Sequence, residues 1–186
     1  MDLKPPPLYL LTGPIGAGKT IFCRQLVQAA RLRGWRVAGL LSPAVMQDGQ
    51  KTGIFLEDLN SGEQRLLAID PLTPHANFVR ASSPFGRGES VHTFPVGKWL
   101  FDPQVLRWGN AVLASCPPCD LLIVDELGPL EFNAGQGLTA AFDLLTAGQF
   151  RVGLMVIRPT LLEAARARWP WAEVLPVAEA AILNFL

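Results

Sequence analysis

Two short stretches of the chain carry residue types that act on phosphates. Gly13-Pro14-Ile15-Gly16-Ala17-Gly18-Lys19-Thr20 fills the pattern G-x-x-x-x-G-K-[ST] at every fixed position. Its glycines let main-chain N–H groups turn inward around phosphate oxygens. Lys19 supplies a cation for the terminal phosphates, and the Thr20 hydroxyl is an oxygen ligand for magnesium. Ile21 continues the stretch into a helix whose N-terminal dipole adds positive potential. The second stretch is Leu121-Leu122-Ile123-Val124-Asp125-Glu126, an apolar run that ends in two carboxylates. Magnesium takes few carboxylates, together with phosphates and waters, so Thr20 and Asp125 (through a water) form a plausible ligand set. Glu126, beside the metal-binding carboxylate, is placed to orient and deprotonate an attacking water. Lys19 and Glu126 are thus the candidate catalytic residues, and the chemistry is attack on a terminal phosphoryl group.

A competing motif lies just before the second stretch. Cys116-Pro-Pro-Cys119 supplies two ligands where structural zinc needs four, and His75 and His92 have no spacing that completes the set. The two cysteines read as partly buried thiols beside a Pro-Pro turn, and Cys23 reads as core.

The elements around these residues follow the same logic. Leu8–Leu11 is a short buried strand leading into the glycine-rich turn. Phe22, Leu26, Ala29 and Ala30 recur at helical spacing up to Gly34. Residues 35–41 form the next strand, and two more runs, 53–59 and 64–69, flank the turn Asn60-Ser61-Gly62-Glu63. Asp70 to Pro95 reads as a long polar loop. A helix opens at Asp102 or Pro103, followed by a strand at 120–125, a loop at 126–134 and a helix over 135–147. A strand at 151–157, a helix over 160–168, a short strand near 173–177 and an apolar tail complete the pattern. Strand–helix alternation predicts an α/β fold: a three-layer P-loop sandwich with a mostly parallel central sheet and a β-hairpin insertion, one domain over residues 1–186.

Composition narrows the partners. Of 186 residues, 49% are hydrophobic and 17% charged, which describes an ordinary globular chain. The formal net charge is zero and no block of like charge occurs, so neither nucleic acid nor an anionic membrane is an expected partner. Three cysteines, no membrane-length apolar run and an N-terminus broken by Pro5-Pro6-Pro7 lead to the expectation of a cytoplasmic protein.

Asn60-Ser61-Gly62-Glu63-Gln64 superficially matches the signature of ABC-type ATPases but sits in a hairpin turn far before Asp125. No N-K-x-D element marks a guanine-selective GTPase. With no base-reading motif, broad nucleotide use is expected. In order along the chain, GPIGAGKT, AGLLSPAVMQDGQKTGIFLEDLNSGEQRLLA, VGKWLF and LLIVDELGPLEF resemble the small nucleoside-triphosphatase family known from thermophiles and from a vertebrate "cancer-related" enzyme. The resemblance runs from about residue 8 to 158. It implies slow, magnesium-dependent hydrolysis of several nucleoside triphosphates to diphosphates. Pro129 and Leu130 stand where that family commonly has Lys-Met, and Ala44 and Met46 stand near its usual acidic residue and arginine.

Secondary candidates follow. Arg158, after the strand at 151–157, is a cation for the nucleotide, and Arg80 and Arg87 are loop alternatives. Trp99 matches a usually aromatic family position and is a stacking candidate for a base. Glu131, the last carboxylate of the DE-containing motif, is a candidate for supporting the site. Trp108, Trp169 and Trp171 read as packing. Two other functions use the same motifs: a kinase passing the γ-phosphate to a small molecule or polynucleotide, and a nucleotide-gated binding module docking through the tail at residues 180–186.

Overall fold

The structure, a computed structural model, describes residues 4–73, 94–182, 185 and 186, with the side chain of Glu126 excepted. His75, Arg80, Arg87 and His92 lie outside the described residues.

Strand β1 (Leu8–Thr12) runs into the glycine-rich turn and helix α1 (Lys19–Leu32), which ends as Gly34 and Trp35 donate back to the carbonyls of Arg31 and Ala30. Strands β2 (Val37–Leu41), β3 (Ala44–Gln47), β4 (Gln50–Asp58) and β5 (Gln64–Ile69) follow. A small hairpin, β6 (Phe94–Val96) and β7 (Trp99–Phe101), leads to helix α2 (Pro103–Ala114). Asp102 caps α2, its carboxylate accepting the Gln104 N–H at 2.7 Å. Then come β8 (Cys119–Leu127), the one-turn helix α3 (Pro129–Phe132), α4 (Ala140–Ala147), β9 (Phe150–Ile157), α5 (Leu162–Arg168) and β10 (Glu173–Pro176).

One ten-stranded sheet joins these strands in the order β10-β1-β9-β8-β2-β4-β5-β7-β6, with β3 on β4. From β10 to β2 every pairing is parallel; from β4 onward every pairing is antiparallel. The parallel centre and the helices on both faces follow the expectation. The hairpin, however, is not an isolated insertion, because β4 and β5 extend the same sheet and β7 and β6 lengthen it further. In β8, alternate side chains face opposite layers. Leu121 and Ile123 pack toward α1 with Phe22, Leu26 and Val27, whereas Leu122 and Val124 pack toward α2, α4 and α5 with Leu106, Leu145 and Trp169. Such a strand is apolar on both sides, which is why its sequence shows an unbroken run.

Three boundaries differ from expectation. Strand β3 was unexpected, although Asp48-Gly49, both at positive φ (47° and 76°), make the two-residue turn that joins it to β4. The helix expected from residue 135 begins only at Ala140, whose N–H is held by Asn110 of α2 at 2.9 Å. Gly135 and Gly137 before it adopt φ 62° and 78°, outside any right-handed helix. The expected loop 126–134 begins late, because β8 continues to Leu127, and within it Pro129 starts the turn α3.

Of the tail, Ala180, Ile182, Phe185 and Leu186 pack on their own molecule. Phe185 is buried, with its ring 4.9 Å from Tyr9 and 5.8 Å from Phe22. That removes the feature on which the binding-module reading rested. Trp169 is buried and donates its indole N–H to Thr146, while Trp171 is exposed rather than packed.

Candidate active site

The strand order decides what can meet at the carboxyl edge of the sheet. Gly13 follows β1, Arg158 follows β9 and Asp125 sits near the end of β8, and these three strands are consecutive neighbours. Thr12 and Leu127 are both in register with Ile157, so Arg158 emerges between the two motif-bearing strands. The β8–β9 register breaks between Val124 and Leu127, and Asp125 falls inside that irregularity. Such breaks re-aim side chains at strand ends.

The glycine-rich turn has the backbone its motif requires. Gly16 and Gly18 adopt φ 81° and 85°, a region that L side chains rarely occupy. A Cβ built on either would meet no protein atom within 4 Å, so the space over the turn is open. The expected obstruction by a side chain is therefore toward a ligand, not toward the protein. Lys19 folds over the turn and donates to the carbonyl oxygens of Gly13 and Pro14, each at 2.8 Å. Ala17 closes the turn by donating to the Pro14 carbonyl, while Ile15 and Ile21 are exposed at its rim. Thr20 is the second residue of α1.

Asp125 is almost completely buried, at 1% exposure. Its Oδ2 accepts the Ser42 N–H at 3.1 Å, and its main-chain carbonyl accepts the Ser42 hydroxyl at 3.2 Å. The sequence reading missed Ser42, although a small hydroxyl residue directly after β2, the neighbour of β8, is the available signal. Cys23 of α1 is core, as expected. Burial first, and then the negative charge of Asp125, push its thiol well above the usual range.

Glu131 is also buried, but its carboxylate is turned to its own loop. Oε2 accepts the Gly128 N–H at 2.8 Å and Oε1 accepts the Leu138 N–H at 2.9 Å. These two bonds brace the segment after β8. Its tightness is visible at Gly137, where a Cβ would stand 2.0 Å from Oε1.

Beside the turn opens a cavity of about 710 Å³. Ile15, Ser42, Glu131, Arg158 and Trp99 all line it, so the sheet gathers Trp99 and Arg158 around one space. Lys51 and Lys98, which the sequence reading did not single out, line it too. Their ammonium groups lie 5.3 and 4.6 Å from the Trp99 ring centre. Lys98 also pairs with Asp70 at 2.9 Å. Cys116 and Cys119 stand at the other end of β8, both as free thiols, and no group of three or more metal-ligating side chains occurs among the described residues.

Comparison with known proteins agrees with this geometry. A family model described as NTPase matches residues 8–168. The nucleoside-triphosphatase THEP1 of Caldivirga maquilingensis is 27% identical over 146 residues, covering 78% of this chain and 73% of that protein. THEP1 of Thermococcus kodakarensis is 28% identical over 135 residues, covering 73% and 68%. Among solved structures, that of a human cancer-related nucleoside triphosphatase superposes with a TM-score of 0.60 at 23% identity, covering 92% of this chain and 88% of that one, a likeness of fold.

Proposed function

The chain belongs to the NTPase family, and from that premise we propose that it hydrolyses nucleoside triphosphates to diphosphate and phosphate with magnesium, slowly and with little regard for the base. The observation that carries the reading is the convergence of the Lys19 turn and the Ser42-held Asp125 at one sheet edge.

The residues fit magnesium. The Thr20 hydroxyl and the Asp125 carboxylate are hard oxygen donors, and the space over Gly16 and Gly18 is open to a ligand. When bound, the ion neutralises charge on the terminal phosphates. The chain's own groups do the rest. The main-chain N–H groups of Ile15, Gly16, Gly18, Lys19 and Thr20, together with Ile21 in the first turn of α1, enclose the phosphate oxygens. Lys19 exchanges the carbonyls of Gly13 and Pro14 for the phosphate tail, which removes its two internal bonds and adds a charge-assisted contact. Ser42 fixes the rotamer of Asp125. Glu126, next in sequence, takes the proton of the attacking water, and Arg158, from between the two strands, balances charge that develops on the leaving group.

No described helix is long and apolar enough to cross a membrane. With zero formal net charge, the reading is of a cytoplasmic enzyme acting on free nucleotides, without nucleic acid.

Phosphate release from a panel of nucleoside triphosphates with magnesium tests it on wild type, Lys19→Ala and Glu126→Gln. Wild type should release phosphate from several nucleotides. Glu126→Gln should still bind them and turn over about 10²–10⁴-fold more slowly. Tight binding without release by wild type would overturn the reading.

A further inference from the structure

The cavity beside the turn is far larger than hydrolysis needs. An attacking water takes about 30 Å³, whereas sites for small organic molecules run from roughly 300 to 1,000 Å³. This one measures about 710 Å³.

Its position says which end of a nucleotide it adjoins. On the nucleotide site proposed above, phosphates held by the turn after β1 reach toward Asp125 on β8, which would point the γ end along the sheet in the direction β1-β9-β8. The cavity continues in that direction, with walls from Ser42 after β2, Ile54 of β4, Leu67 of β5 and Trp99 of β7. The base of the same nucleotide leaves from the other end of its phosphate chain. The cavity therefore lies beyond the γ-phosphate, where a second molecule would stand.

Its lining describes that molecule. Apolar side chains make the floor, Trp99 adds an aromatic ring flanked by the Lys51 and Lys98 ammonium groups, and Lys51 and Arg158 bring positive charge, while Lys98 is shared with Asp70. Among the described lining residues the one acidic side chain is Glu131, and each of its carboxylate oxygens accepts a main-chain N–H. A planar ring bearing an anion matches both halves of this surface.

Resting on the nucleotide site proposed above, we propose that the cavity binds a ring-bearing organic monophosphate and that, when this acceptor is bound, the γ-phosphoryl group passes to it, water being the acceptor in its absence. A phosphate oxygen of the acceptor attacks the γ-phosphorus and forms the new P–O bond. The bond from that phosphorus to the β–γ bridging oxygen breaks, and the diphosphate leaves with the electron pair. No proton need move, and the products are a nucleoside diphosphate and an organic diphosphate. Trp99 then stacks on the acceptor's ring and not on the base of the triphosphate.

The test uses nucleoside monophosphates as probes. With the P-loop site saturated by a β,γ-imido nucleoside triphosphate and magnesium, one equivalent of a monophosphate should bind and change tryptophan fluorescence. Lys51→Glu and Trp99→Leu should each weaken that binding by about tenfold. With γ-labelled triphosphate, label should appear in the added monophosphate, and the share going to water should rise in both variants. The proposal fails if no monophosphate binds, if binding ignores both substitutions, or if label reaches only inorganic phosphate. Hydrolysis of the triphosphate alone, read in parallel, separates the two readings: transfer absent with hydrolysis intact counts against the second site only.

Discussion

Ser42 grips Asp125 at two points, its amide on the carboxylate and its hydroxyl on the main-chain carbonyl of the same residue. The two bonds separate cleanly by mutation. Ser42→Ala keeps the amide contact and loses the hydroxyl one, so stability should fall by about 1 kcal/mol. Phosphate release should stay within a few-fold of wild type, because the carboxylate keeps its orienting donor. Urea unfolding and steady-state rates on one preparation check both. A collapse in rate with unchanged stability would give the hydroxyl a direct part in the chemistry.

Glu131 predicts the opposite pattern. Glu131→Gln sets an amide NH₂ against one of the two main-chain N–H groups it now accepts, at a cost of about 1–3 kcal/mol. The melting temperature should drop, and the turnover remaining at a temperature where the variant is folded should be close to wild type. Unchanged melting with lost turnover would mean that the carboxylate serves the reaction and not the loop.

The thiols at the far end of β8 are unequal. The hydrogen bond between them holds the Cys116 thiol below its usual range and pushes Cys119 far above it. Iodoacetamide should therefore label the half-buried Cys116 first, with a rate-versus-pH midpoint below the ordinary thiol value of about 8.5. Cys119→Ala should move that midpoint up. Equal labelling of both thiols, followed by mass spectrometry, would refute the inequality.

Lys98 holds the Asp70 carboxyl below the usual range, with the Leu72 N–H adding to the effect. The folded value is the lower one, so the stabilisation is complete above the unfolded value of about 3.9 and is lost as pH falls through the folded value. Asp70→Asn should lose less stability than wild type on acidification below about pH 4. Lys98 is largely exposed, so the difference should shrink in high salt. Parallel stability curves for the two proteins at low salt would show that the pair contributes nothing.

What could be read in the sequence was local. The phosphate turn, the strand that carries Asp125 and the helix opened by Asp102-Pro103 are each specified by residues within a few positions of one another, and the structure has all three, with the strand running two residues past Asp125 to Leu127. Ser42 and Asp125 are far apart in sequence and meet only because β2 lies beside β8. The brace made by Glu131 depends on Gly137 adopting positive φ, which the amphipathic pattern of residues 135–147 conceals. Strands β6 and β7 are three residues each, too short for alternation to show. Lys51 and Lys98 look like solvated lysines until β4 and the β6–β7 hairpin bring both to Trp99.

The place of β9 between β1 and β8 makes the sheet a gauge. Two inter-strand steps of about 4.8 Å each set the phosphate turn and Asp125 roughly 10 Å apart. That spacing is fixed by main-chain hydrogen bonds, so it cannot adjust to whatever arrives. On the proposed reading, that fixed span faces the phosphate chain, the part common to every nucleoside triphosphate, and tolerance of the base follows from the proposal.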